Sequence, residues 1–94
     1  MIEQTATWQL DKNVRYRRLL DEAVVIHQEK AEALVLNDTA IAFLELCDGK
    51  LKTREIITEL TKKYDVEDGI LAKDLAPFIE ELAAGGIIHR VSED

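Results

Sequence analysis

The stretch Ala31–Gly49, "AEALVLNDTAIAFLELCDG", changes rhythm in its middle and constrains the fold more than any other segment. Ala33-Leu34-Val35-Leu36 is an apolar run of strand length. Asn37, Asp38 and Thr39 then supply three helix-capping residues in succession, because each side chain can accept a hydrogen bond from an early backbone N–H. Ala40, Ile41, Leu44 and Cys47, with Phe43 alongside, recur at three- and four-residue steps until Asp48-Gly49, where glycine adopts the left-handed helix-ending conformation cheaply. One strand thus feeds one helix with almost no loop, in a chain with too few strands for a large sheet.

Upstream, "RYRRLL" and "AVVIHQ" are short, β-prone runs from Val14 onward, with a turn expected over Leu20–Ala23. A polar turn over Gln28–Ala31 leads into the third strand, "EALVLN". Three strands on tight turns predict an antiparallel meander. A sheet of three strands leaves two edges, and chain order makes the third strand one of them. Residues 1–13 show no clear period and are expected to form a flexible arm that Trp8 and Leu10 can dock, for instance as an added strand.

Downstream the pattern is helical. Thr53 is the expected cap of a second helix that buries Ile56, Ile57, Leu60 and Tyr64. Asp65 to Asp68 place carboxylates at the positive end of a third helix. Leu71, Leu75, Phe78 and Leu82 form its stripe, flanked by Ile79, and Pro77 inside it predicts a bend. Gly85-Gly86 ends that helix, and Ile87, Ile88 and Val91 form a short return strand. The expectation is one α+β domain over residues 14–91, winged helix-turn-helix-like: a three-stranded antiparallel sheet, three helices and a short C-terminal strand.

Several function classes fit poorly. No apolar run approaches the roughly 18–20 residues of a membrane span, and the N-terminus lacks signal-peptide character. The single cysteine, Cys47, rules out an intramolecular disulfide framework, and a cytoplasmic protein is expected. Its helical spacing puts Cys47 on the apolar face, as core rather than as a nucleophile. His27 and His89 lack companions at metal-ligand spacing. "DVEDG" has the wrong spacing for a calcium loop, because its fifth and twelfth positions are Gly69 and Ala76. No phosphate loop or Ser/His/Asp set is evident, Ser92 lying in the tail, so neither an enzyme nor a cofactor is expected.

Charge argues against nucleic acid. The chain carries −7, and residues 65–84 hold six acids against Lys73. In a winged helix the third helix would enter the major groove, where these acids would be repelled by phosphates within a Debye length. The basic "RYRR" strand can touch nucleic acid by itself or simply be a solvated face. Peptide binding remains: an exposed third-strand edge offers unpaired N–H and C=O groups that an extended peptide can complete. The plainer alternative is an edge guarded by local charge, and a dimer formed through the same edge is a further one.

Short signals in a fixed order carry a resemblance. They are Val35-Leu36-Asn37, Leu46 with Asp48-Gly49, Ile56 and Leu60, Tyr64 with Val66, Asp74-Leu75 and Phe78, Leu82, and Gly86-Ile87-Ile88. Together they resemble the PqqD-like family, the peptide chaperones of pyrroloquinoline quinone biosynthesis and related pathways, whose fold is also called the RiPP recognition element. The resemblance runs from Val14 to Val91, and Pro77 departs from the pattern. It implies a non-catalytic protein that binds the leader segment of a ribosomally made precursor peptide. The core of that peptide would be presented to a modifying enzyme, often a radical S-adenosylmethionine enzyme. The leader would add as a strand along Glu32, Ala33, Leu34, Val35 and Leu36. It would lie against a helix wall drawn from Ile70, Lys73, Asp74, Pro77, Phe78 and Glu81, with Phe78 and Leu75 either lining the groove or wholly core. Acids in the groove would favour a leader with Lys or Arg beside them.

Overall fold

A computed structural model describes residues 5–91. The order is β1 (Thr7–Leu10), β2 (Val14–Leu19), β3 (Glu22–His27), β4 (Glu32–Asn37), α1 (Asp38–Glu45), β5 (Asp48–Lys52), α2 (Thr53–Tyr64), α3 (Asp68–Ala84) and β6 (Ile88–Arg90). The meander forms as expected, in the order β2-β3-β4 with antiparallel pairing throughout. Its first turn is only Leu20-Asp21, shorter than the four residues expected. Its inner face carries Ala23, Val25 and Leu36, all buried.

The strand-to-helix junction rests on one side chain. Asn37 Oδ1 accepts the Ala40 N–H at 2.9 Å and caps α1. The helix buries Ala40, Ile41, Phe43 and Leu44 under the meander. Cys47 follows it into the core, where its Sγ donates to the Phe43 carbonyl at 3.4 Å and burial pushes the thiol up to about 12.

The larger departure is a second sheet, ordered β5-β1-β6. Residues 7–10, expected to belong to a flexible arm, form its central strand, pairing antiparallel with β5 and β6. Trp8 and Leu10 do dock: both pack against the core. Residues 1–4, the start of the expected arm, and 92–94, Ser92 among them, lie outside the described residues. β5 stands where only a helix stop was expected. Its sequence, "DGKLK", has little strand propensity, and it exists because β1 supplies a hydrogen-bonding partner. The expected cap, Thr53, is engaged elsewhere: its hydroxyl donates to the Ala6 carbonyl at 2.9 Å and accepts from Trp8 Nε1 at 3.0 Å. Glu55 takes over at the start of α2, accepting the Lys52 N–H at 2.8 Å.

Along α3 the buried stripe is Leu71, Leu75, Ile79 and Leu82. Ile79, expected only to flank, is core, and Phe78 sits half-buried at the margin. The helix continues through Pro77, which lies on the exposed side. It ends where Gly86 takes φ +73°, with Ile87 N–H donating to Leu82 O at 2.9 Å and Gly86 N–H to Ala83 O at 3.2 Å. No helix among the described residues is long and apolar enough to cross a membrane.

Candidate functional site

β4 is an edge of the meander, and backbone parity identifies which of its groups are open. A two-residue turn closes on a hydrogen-bonded pair, here Leu19 opposite Glu22. Pairs then alternate, so Arg17–Val24 and Arg15–Ile26 are hydrogen-bonded as well; the Gln28 N–H donating to Asn13 O at 2.9 Å continues the same parity. Ala23, Val25 and His27 must therefore direct their backbone groups at Leu36, Leu34 and Glu32 of β4. What remains facing outward on β4 is the N–H and C=O of Ala33 and of Val35, with the N–H of Asn37 at the strand's end.

The second wall is α3, which meets the surroundings of β4 at its two ends and in the opposite chain order. Lys30, just before β4, donates from Nζ to Gly85 O at the C-terminal end of α3 (2.9 Å). At the other end, Asn37 and Thr39 face Leu71, Asp74, Leu75 and Phe78 across a cleft of about 460 Å³, closed by Tyr64 and Val66 from the α2–α3 turn.

The expected site residues divide accordingly. Glu32, Ala33 and Val35 are exposed, and Leu34 is half-buried. Leu36 is buried at 3% and faces the core, so its side chain cannot reach a guest. Asp74 and Phe78 line the cleft. Leu75, left open between groove and core, is core at 1% exposure and forms the cleft floor. Ile70, Lys73, Pro77 and Glu81 are exposed, and Ile70, Pro77 and Glu81 fall within about 40° of one another on the helix, forming an outer rim. Asn37, Thr39, Tyr64, Val66 and Leu71 were not expected in the site. Tyr64 is half-buried and Val66 exposed, on either side of the break between α2 and α3.

A charged clasp holds Tyr64, one of the residues that line the cleft. Arg18 on β2 donates from Nη1 to Asp38 Oδ1 (2.8 Å) and from Nη2 to Glu45 Oε1 (2.9 Å), and the Tyr64 hydroxyl donates to Asp38 Oδ2 (2.7 Å). The Arg18 guanidinium, then the Tyr64 hydroxyl, hold the Asp38 carboxyl below its ordinary range. Arg18 likewise lowers Glu45. Burial, then the bond to Asp38, pushes the Tyr64 phenol up to about 12. One arginine of the basic strand is thus engaged internally. Among the described residues, no group of three or more His, Cys, Asp or Glu is placed to hold a metal ion.

The chain is similar to several known proteins. A "PqqA binding protein" of Methylococcus capsulatus is 36% identical over 56 residues, which is 60% of this chain and 58% of that protein. The fold matches TbiB1, whose structure is in complex with the TbiA(beta) leader peptide: TM-score 0.74, 19% identity, 90% of this chain and 99% of that one. It also matches the PqqD truncation of Methylobacterium extorquens PqqCD, described as a functional and stand-alone RiPP recognition element: TM-score 0.73, 28% identity, 95% of this chain and 100% of that one. The family model for Coenzyme PQQ synthesis protein D (PqqD) covers residues 22–88, from the start of β3 through α3 to the first residue of β6, and the chain belongs to the PqqD family.

Proposed function

We propose that this protein binds the leader segment of a ribosomally made precursor peptide by strand addition to β4 and hands the rest to a modifying enzyme, without catalysis of its own. The observation that carries this reading is the pair of outward-facing residues, Ala33 and Val35, on the strand whose last residue, Asn37, lines a cleft with Phe78, Tyr64 and Val66. The relative named for binding PqqA and the leader-bound TbiB1 support it. A radical S-adenosylmethionine enzyme is the partner the resemblance favours, and the cytoplasm, where such precursors are made, is the place of action.

Magnitudes show why both walls are needed. Two residues offer four main-chain bonds, each worth about 1 kcal/mol net. That falls at or below the low end of the 4–15 kcal/mol cost of association. Apolar side chains entering the cleft must supply the surplus, so the leader carries one or two apolar residues spaced to reach it. Asp74 in the cleft and Glu81 on the rim favour a Lys or Arg nearby, which tunes encounter and selectivity more than affinity.

The test is a titration of ¹⁵N-labelled protein with leader peptides from the same gene neighbourhood. Shifts are expected at residues 32–37, 64–66 and 70–81, with weak dependence on salt. Binding of nucleic acid that collapses with salt, or shifts confined elsewhere, would refute the reading.

A further inference from the structure

The outer face of the meander is apolar where an antiparallel sheet with one buried side should be polar. Register places Arg15, Ile26 and Ala33 in one outward row and Arg17, Val24 and Val35 in the next. Ile26 is 43% exposed and Val35 64%, and Leu19 continues the face at 44%. At the hairpin tip Leu20 is fully exposed and held at φ +36°. A γ-branched residue is disfavoured there on both counts: the left-handed backbone suits Gly, Asn or Asp, and the side chain gains nothing from water. Nothing within the fold accounts for keeping it.

The geometry points to this face as a docking surface for a second protein, one presenting an apolar centre rimmed by carboxylates. Resting on the function proposed above, that protein is the enzyme that receives the peptide. Charge selects the occupant. Arg15 and Arg17 flank a depression of about 230 Å³ over Val24 and Ile26, on a chain whose net charge is −7. A second copy is the poorer fit, since it would bring another −7 and two more arginines to the same contact. The face is also continuous with the open edge. Val35 belongs to both, so a strand added to β4 would extend the surface by one row, and the enzyme would meet sheet and peptide together.

Three variants test this: Leu20→Gly, Ile26→Lys and the double change Arg15→Glu with Arg17→Glu. The probes are the purified modifying enzyme encoded beside the precursor gene, immobilised for interferometry, and a fluorescent leader peptide for polarisation. All three variants are expected to keep wild-type leader affinity. Each should weaken enzyme binding roughly tenfold or more, the usual scale for an interface anchor. Leu20→Gly should also raise the melting temperature, because it relieves the backbone, which separates docking from folding. Enzyme binding unchanged in Leu20→Gly and in the arginine pair would overturn the inference while leaving peptide binding intact. So would a wild-type dimer in sedimentation velocity that these changes dissociate, or an oligonucleotide bound through the two arginines. Failure of the leader to bind at all would sink the function proposed above, and enzyme affinity across the variants would still decide the docking face.

Discussion

The two edges of the meander are treated in opposite ways. On β2 the outward-facing groups belong to Val14, Tyr16 and Arg18, by the parity that opens Ala33 and Val35 on β4. Arg15 Nη1 donates to the Val14 carbonyl at 2.9 Å and to Lys12 O at 3.0 Å, so one outward acceptor is already taken. Arg18 lies across the same edge, tied to Asp38 and Glu45. This is how natural sheets guard an edge. On β4 the open positions are an alanine and a valine, and a cleft opens at the strand's last residue, Asn37. The contrast separates a guarded edge from one left open.

Proline substitutions break the comparison most sharply. Val35→Pro removes an outward N–H and no ladder bond, so leader binding measured by calorimetry should be lost while circular dichroism and melting stay near wild type. Leu34→Pro removes a bond to Val25 inside the sheet and should destabilise by about 3 kcal/mol or more in urea unfolding. Tyr16→Pro removes the equivalent outward N–H on β2 and should leave leader affinity unchanged.

Phenylalanines come next. Phe43→Ala opens a cavity in the core and should cost about 3–5 kcal/mol of stability. Phe78→Ala, at the cleft, should cost less stability than that and weaken the leader roughly tenfold or more.

The guarded edge has a pH signature. Asp38 and Glu45 have folded pKa values below their ordinary ones, chiefly through Arg18. Their contribution is therefore fully present above the ordinary carboxylate range and is lost as pH falls through the lowered folded values. Arg18→Met should flatten the decline of melting temperature between pH 5 and pH 3, as read by thermal scans; a slope unchanged from wild type would mean that the clasp contributes nothing. The smallest effect is expected from Arg15→Ala. Uncapping Val14 O should change stability by less than about 1 kcal/mol, while increasing concentration-dependent association through β2 in light scattering.

Much of this was legible in the residues because local signals agreed with the global fold. The run of capping residues from Asn37, the apolar strand before it and the Leu71–Leu75–Leu82 spacing each announce their element, a helix start, a strand and a helix. β1 and β5 were not legible as a sheet. "TWQL" is too short to show a period, "DGKLK" has glycine and two lysines, and each is a strand only because the other is present. Leu36 came into the expected site with the whole strand Glu32–Leu36, which the resemblance marks as the edge, and β4 is apolar at both alternating sets of positions. Period two says that faces alternate, and only packing says which face is inside. Tyr64 and Val66 join the site through the turn between α2 and α3, a contact that no local pattern encodes.

The central claim concerns two backbone amides, and amide hydrogen exchange reads them individually. In the free protein Val35 and Ala33 should exchange fast while Leu34 and Leu36 are protected, and saturating leader peptide should slow Val35 and Ala33 by orders of magnitude. Protection of Val35 already present in the free protein, or no change at Val35 when the leader is bound, would contradict the account.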